Sequence, residues 1–170
     1  MDNKAFYALL YQTIGDATPN LQDCGALCGA ACCQGGDEDG MYLFPGEEAL
    51  FPGADWYTLL EGGLSVAGKP TQLLVCKGVC PRAMRPLYCR LFPIMPYISR
   101  ENRLMLRLYP AGICPLAQTG GLKNIDAQFR ANVKAVAKLL YANERTKAFL
   151  WEHSRLMDDM ALLPYLLLKK

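Results

Sequence analysis

Residues 23–33 read DCGALCGAACC and hold four of the eight cysteines of this 170-residue chain. The other four lie in CKGVCPRAMRPLYC (76–89) and in GICP (112–115). The chain also has a single histidine, a formal net charge of +2 and 52% hydrophobic residues. This length and composition predict one domain, residues 1–170, with a sizeable hydrophobic core. The function of such a domain depends on what its eight thiols do.

The compartment decides whether these thiols are free. Residues 1–17, MDNKAFYALLYQTIGDA, balance one lysine against Asp2 and interrupt their apolar stretch with polar residues, so they do not predict a signal peptide. We therefore expect a cytoplasmic protein, in which four disulfides are not expected and metal ligation is the leading interpretation.

Two classes of partner are not expected. The net charge is small and the chain has no dense run of lysine and arginine, which argues against nucleic acid. The apolar run ALLPYLLL (161–168) is far shorter than the roughly 20 residues that span a bilayer, which argues against a membrane. A metal ion is the expected partner, and no protein partner can be predicted from the sequence.

Apolar periodicity predicts the secondary structure outside the cysteine segments. Helical spacing predicts helices over 4–14, from 125 onward and over about 144–160, and Pro164 is expected to break or kink the chain beyond the last of these. Period-two alternation and short apolar runs predict strands at TQLLVC (71–76), RLMLRLY (103–109) and MYLF (41–44). Short helices are expected in PGEEALF (45–51) and DWYTLLEGG (55–63).

Prolines at positions 81, 86, 93 and 96 exclude a long regular element from the segment between the two best strands, and Pro110 follows the second strand. An irregular segment of this length needs something to hold it, and a bound metal would do so. The expected fold class is therefore a mainly helical α+β domain with short strands. Residues 24–114 would form an irregular, metal-bound, cysteine-rich region, and residues 122–168 would form supporting helices.

The spacing of the cysteines suits metal ligation. Cys24 and Cys28, Cys28 and Cys32, and Cys76 and Cys80 are each four residues apart, a spacing that rises about 6 Å on a helix and lets two thiolates share one ion. Cys24 and Cys32 would be about 12 Å apart on that helix, so residues 24–33 either form a helix that serves more than one ion or wrap as a loop. Both alternatives stay open.

Eight ligands divide naturally into two four-thiolate sites. The adjacent Cys32 and Cys33 point in different directions in any regular backbone, so they serve different ions or one is spare. Which cysteine belongs to which ion stays open. Arg85 and Arg90 flank Cys89 and are candidates to offset the negative charge of a thiolate site. The candidate ligands are Cys24, Cys28, Cys32, Cys33, Cys76, Cys80, Cys89 and Cys114.

The order of these cysteines resembles the bacterial and archaeal cysteine-cluster family of zinc- or iron-chelating proteins. That family has a cysteine-rich segment ending in a CC pair, two spaced cysteines, an R-P-x-x-C-R-x-F/Y-P block and a final cysteine. RPLYCRLFP (85–93) matches the block, with Arg85, Pro86, Cys89, Arg90 and Pro93, and MYLFPGEEALF (41–51) resembles the family's hydrophobic segment followed by glutamate. The resemblance covers about residues 20–116; the first segment is C-x₃-C-x₃-C-C here and C-x₂-C-x₂-C-C in the family.

The resemblance implies zinc or iron held by the eight cysteines. Flagellin lysine N-methylases carry a similar cysteine cluster, which implies an iron–sulfur centre as the alternative to zinc. Cys80-Pro81 and Cys114-Pro115 resemble the Cys-Pro of bacterial ferredoxin motifs and favour iron. Zinc is slightly favoured because it needs no assembly machinery and stabilises folds directly.

Three other sites are weaker hypotheses. GLSVAGKP (63–70) lacks the serine or threonine that a P-loop places after its lysine, so it is interpreted as a loop. His153 has no partner in the sequence and is expected on a helix surface or an interface. Glu47 and Glu48 are explained by a helix N-terminus.

The expected function is that of a metal-binding protein with a structural, chelating or accessory role. The alternatives are an iron–sulfur-dependent enzyme of methyl or electron transfer, or a thiol-redox protein, although Cys76 and Cys80 do not form the C-x-x-C of thioredoxin-like proteins. The sequence does not decide whether the chain is an enzyme.

Overall fold

A computed structural model describes residues 2–34, 36, 39–78, 80–110, 112–118 and 120–167. Within these ranges there are also short 3₁₀ turns, at Ala31–Cys33, Glu47–Leu50, Arg82–Met84 and Gly121–Asn124. The helices are α1 (Asn3–Ile14), α2 (Gly25–Cys28), α3 (Leu87–Leu91), α4 (Pro115–Gln118), α5 (Ala127–Ala142) and α6 (Glu144–Leu167). The strands are β1 (Met41–Tyr42), β2 (Tyr57–Val66), β3 (Lys69–Cys76), β4 (Ile94–Ile98) and β5 (Leu104–Leu108).

The strands form two antiparallel sheets. β3 lies between β1 and β2 in a three-stranded sheet, and β4 pairs with β5 in a two-stranded sheet. The β2–β3 hairpin begins at the pair Tyr57 and Cys76 and ends at the pair Val66 and Lys69. The first sheet therefore ends on a cysteine.

The main core lies between α1, α3, β4, α5 and α6. On α5 the fully buried residues Phe129, Val133, Val136 and Leu140 recur every three or four residues, and the side chain of Asp126 caps the helix by accepting from the Phe129 N–H at 2.8 Å. This amphipathic pattern explains why the helix predicted from residue 125 onward is confirmed. The helix predicted over 4–14 is also confirmed, and Gly15, which has a φ of 57°, follows its last residue as the C-terminal cap.

The fold-class prediction is wrong in describing residues 24–114 as an irregular region, because all the described strands lie there, including the ten-residue β2 and the eight-residue β3. The chain is a mixed α+β fold, 48% helical and 19% strand, with two antiparallel sheets. DWYTLLEGG begins the ten-residue strand β2 instead of a helix, because its backbone pairs with β3 from residue 57 onward.

Two further predictions about local structure differ from the structure. IMPYI forms β4, whose five residues are all buried, so it lacks the alternation by which a half-exposed strand is predicted. Helix α6 continues through position 164 to Leu167 instead of breaking there. Residue 168, where the predicted helical part ends, lies outside the described residues. None of the described helices is long and apolar enough to cross a membrane.

Candidate metal centre

The first four cysteines lie on two short turns. Helix α2 ends at Cys28, and Gly29 and Ala30 then adopt left-handed conformations with φ of 60° and 56°. These two residues reverse the chain into the 3₁₀ turn Ala31–Cys33. The segment is therefore neither one continuous helix nor an irregular loop, so Cys24 and Cys32 are not separated along a single helix axis.

The other four cysteines come from separate elements. Cys76 ends β3, Cys80 precedes the 3₁₀ turn Arg82–Met84, Cys89 lies in α3, and Cys114 directly precedes α4. All eight cysteines are partly buried and none forms a disulfide. The fold brings them to two adjoining cavities.

The smaller cavity, of about 160 Å³, is bordered by Cys24, Cys28, Cys32 and Cys114. Apart from the cysteines, its wall is mostly apolar and includes Phe92. Burial raises the pKa of the Cys24 thiol, and the neighbouring Cys114 and Cys28 raise it further. These thiols therefore lie close enough to affect one another's charge.

The larger cavity, of about 500 Å³, is bordered by Cys33, Cys76, Cys80 and Cys89, and Cys32 lies at the junction of the two cavities. Cys76 and Cys80 lie close enough together to affect each other's pKa, as do Cys32 and Cys33. Burial raises the pKa of Cys89 above its usual range, and the nearby Cys33 and Cys80 add to that shift. Four thiols from three segments thus face one space.

Arg85 borders the larger cavity and brings a positive charge to it. Burial opposes its charge, but the neighbouring Cys80, Cys33 and Cys89 raise its pKa overall. Its guanidinium is therefore placed to offset the charge of deprotonated thiols. Arg90 has a different environment, because its side chain donates to backbone carbonyls, including that of Arg85 at 3.0 Å.

The chemistry of the donors fits a thiophilic metal. No group of three or more histidine, cysteine, aspartate or glutamate side chains in the described part of the chain is arranged to hold a metal ion as it stands. Thiolates are nevertheless the ligands of four-coordinate zinc and of iron–sulfur clusters, and here eight thiols border two adjoining cavities. Loading would require these thiols to move inward on their turns.

His153 is a core residue, so the surface or interface interpretation is wrong. It is fully buried, and its Nε2 lies 2.7 Å from the hydroxyl of Tyr88. Burial lowers its pKa to about 4. Its side chain borders neither cavity, and its environment is that of a neutral aromatic group.

Glu47 is a functional candidate that the sequence does not predict. It is fully buried at the start of the 3₁₀ turn Glu47–Leu50, and its carboxylate accepts hydrogen bonds from Tyr11, Phe44 and Leu87. Burial raises its pKa, and these hydrogen bonds oppose that shift. Two of the partners lie 36 and 40 residues away, which explains why no local pattern marks this contact.

The segment GLSVAGKP has no resemblance to a nucleotide site in three dimensions. Gly63 to Val66 belong to β2, Ala67 and Gly68 form the turn, and Lys69 begins β3. A P-loop needs a strand, a loop and then a helix, whereas this segment joins two antiparallel strands. The prediction of a loop holds only for the two turn residues.

No protein-family model, curated protein or solved structure matches this chain. The resemblance to the cysteine-cluster family therefore stays a prediction that rests on the quoted residues.

Proposed function

We propose that this chain is a cytoplasmic member of the cysteine-cluster family and binds zinc or iron through its thiolates in a structural, chelating or accessory role. The observation that supports this function is that all eight cysteines border two adjoining cavities. Reducing conditions would keep the thiols available as ligands.

The cavities suggest how the ligands divide. The first thiolate set is Cys24, Cys28, Cys32 and Cys114, around the smaller cavity. The second thiolate set is Cys33, Cys76, Cys80 and Cys89, around the larger cavity. Cys32 borders both cavities, and assigning it to the first set leaves four thiols for each metal, which is the usual number for zinc or a cluster.

The chain's own residues would adjust the charge of each site. A four-thiolate site with one divalent ion carries two net negative charges, which are costly to bury without cations or N–H donors nearby. Arg85 lies against the second set and would offset part of that charge. Bound zinc would contribute folding free energy directly, whereas a cluster would supply electron transfer.

The first test is elemental analysis of protein purified without oxygen or added metal, together with its visible spectrum. We expect about two zinc per chain and no colour. About four iron with matching sulfide and a band near 400 nm would instead establish a cluster protein, and methyl- and electron-transfer assays would then be run. Protein that holds neither metal, even after anaerobic reconstitution, would overturn the proposal.

Single substitutions test the division into two sets. We expect Cys114→Ser and Cys89→Ser each to lose one of two zinc ions, and the double variant to lose both, because each removes a ligand from a different set. Zinc content and the midpoint of urea unfolding are measured for each variant. The two single variants serve as controls for each other, and loss of both ions from either one would contradict the division.

Thiol-redox chemistry is a second candidate function, favoured by the closeness of Cys76 to Cys80 and of Cys32 to Cys33. Closing the first pair as a disulfide would release two protons and two electrons to an external disulfide. Mass spectrometry of protein equilibrated with glutathione buffers measures this directly, since each disulfide removes two hydrogens. If both cysteine pairs stay fully reduced at all physiological ratios of reduced to oxidised glutathione, this function is excluded.

A further inference from the structure

We propose that Glu47 is a positioning residue for the second thiolate set. Its buried carboxylate would hold helix α3 in place, so that Cys89 stays next to Cys33 and Cys80. The inference rests on the proposed function, because the set it serves is one of the two proposed metal sites.

The hydrogen bonds of Glu47 reach three separate segments. Oε1 accepts the Tyr11 hydroxyl of α1 at 2.6 Å and the backbone N–H of Leu87 at 2.7 Å, and Oε2 accepts the backbone N–H of Phe44 at 2.9 Å. Leu87 is the first residue of α3, where a backbone N–H has no partner within the helix. Glu47 therefore fixes the end of α3 that lies two residues before Cys89.

Tyr11 extends this anchor to Arg90. The guanidinium of Arg90 lies 5.0 Å from the centre of the Tyr11 ring, and its N–H groups donate to the carbonyls of Arg85 at 3.0 Å and Ala83 at 2.9 Å. Further donations reach the carbonyls of Arg82 and Gly15, both at 3.2 Å. The same assembly thus holds α3 and the turn that places Arg85 against Cys80.

A packing role alone does not account for a carboxylate at this position. An apolar side chain would fill a fully buried site without the cost of removing a charged or polar group from water. The carboxylate instead satisfies three donors, one of which is a side chain of a different helix. The next residue, Glu48, is exposed and accepts from the backbone N–H of Gly46. It offers a matched control one position away.

Cobalt titration tests the inference, because thiolate-bound Co²⁺ absorbs in the visible range. In Glu47→Gln the side chain replaces an acceptor oxygen with a donor group, which must face one of the three N–H or O–H donors. We expect wild type and Glu48→Gln to bind two Co²⁺, and Glu47→Gln to bind one normally and the second at least tenfold more weakly. Adding Cys114→Ser to Glu47→Gln should remove the remaining tight site.

A general loss of stability must be separated from positioning. Val133→Ala, in the core on α5, removes packing without touching the anchor, so it is compared with Glu47→Gln under conditions in which both are folded to the same extent. Equal weakening of both cobalt sites, or the same pattern in Val133→Ala, would overturn the inference. If Glu47→Gln does not fold, Tyr11→Phe removes one of the three hydrogen bonds and keeps the ring under Arg90.

A second measurement does not depend on metal. Native, metal-free protein is alkylated with iodoacetamide, and the rate at each cysteine is monitored by peptide mapping. We expect Cys89 to react at least tenfold faster in Glu47→Gln than in wild type, with Cys24 unchanged. An unchanged Cys89 rate would overturn the role of Glu47. Failure of wild type to bind cobalt would overturn the proposed function, whereas the alkylation rates would still show whether Glu47 holds Cys89 in place.

Discussion

His153 illustrates how burial sets the charge of a side chain in this protein. Its ring stacks on Phe149 and Tyr109, with centroids 5.5 and 6.3 Å apart, and the titratable groups that face it are Tyr42, Tyr88 and Tyr109. All three are neutral at physiological pH, so nothing among these neighbours stabilises an imidazolium. Burial therefore favours the neutral ring and lowers the pKa to about 4.

The buried histidine predicts a loss of stability in acid. Between pH 6.5 and 4 the unfolded chain binds a proton on His153 that the folded chain does not, so stability falls as the pH falls. We expect the free energy of unfolding of reduced, metal-free protein to drop by about 2 kcal/mol from this group between pH 7.5 and 5.0. Urea unfolding at the two pH values measures the change.

His153→Phe should lose this part of the pH dependence, because it retains an aromatic ring and removes the titrating group. Tyr88→Phe is the control, since it breaks the same hydrogen bond and keeps the histidine. The chain has one histidine, so no other imidazole contributes. The same pH dependence in His153→Phe and wild type would contradict the assignment.

At the scale of secondary structure, a two-residue turn joins strands β2 and β3 into a hairpin. Ala67 and Gly68 both have positive φ, 50° and 75°, which is the backbone of a type I′ turn. Glycine adopts this conformation without strain, whereas alanine at position 67 does so at a cost. The turn is nevertheless formed, because the paired strands Tyr57–Val66 and Lys69–Cys76 hold it closed.

Ala67→Asn should stabilise the protein, since asparagine followed by glycine is the preferred pair in this turn. We expect a gain of about 0.5–1 kcal/mol in the free energy of unfolding, measured by urea denaturation. Gly68→Ala should do the reverse, because it places a side chain at a φ of 75°. Destabilisation by Ala67→Asn would show that the turn differs from the one described.

At the level of the whole molecule, the main core and the thiols occupy different regions. The buried residues of the main core include no cysteine; the cysteines lie on short turns and at the ends of elements, except Cys89, which lies in the middle of α3. The helices α1, α5 and α6 are thus expected to hold together without metal, mainly by apolar packing. The proposed metal would stabilise the cysteine-bearing turns above all.

Limited trypsin digestion tests this separation. Lys77 and Arg82 are exposed residues between Cys76 and Cys89, and Arg103 is exposed in the turn between β4 and β5. We expect added zinc to slow cleavage after Lys77 and Arg82 at least fivefold, because bound ligands suppress local opening, and to leave cleavage after Arg103 unchanged. Equal slowing at all three sites would indicate general stabilisation instead.

The order of residues alone was sufficient to predict the elements in which apolar residues recur at the spacing of a helix or a strand. Helix α5 repeats apolar residues at helical spacing, and β5 has leucine at every second position, so both can be predicted from the order of residues. β2 was missed because Gly62 and Gly63 interrupt it and weaken a strand locally. Glycine at position 62 is required by packing, since a Cβ there would lie 2.7 Å from the Tyr42 ring.

Some features of the candidate site could likewise be predicted from the sequence, and others could not. Cysteine count and spacing alone pointed to thiolate ligation and to two sets of four, because those conclusions need only residue type and distance along the chain. Only the folded structure shows that the thiols group around two cavities. The same is true of the placement of Arg85 next to Cys80 and of the buried Glu47 beneath α3. These contacts join residues far apart in the chain, and which of them form depends on how helices and sheets pack together.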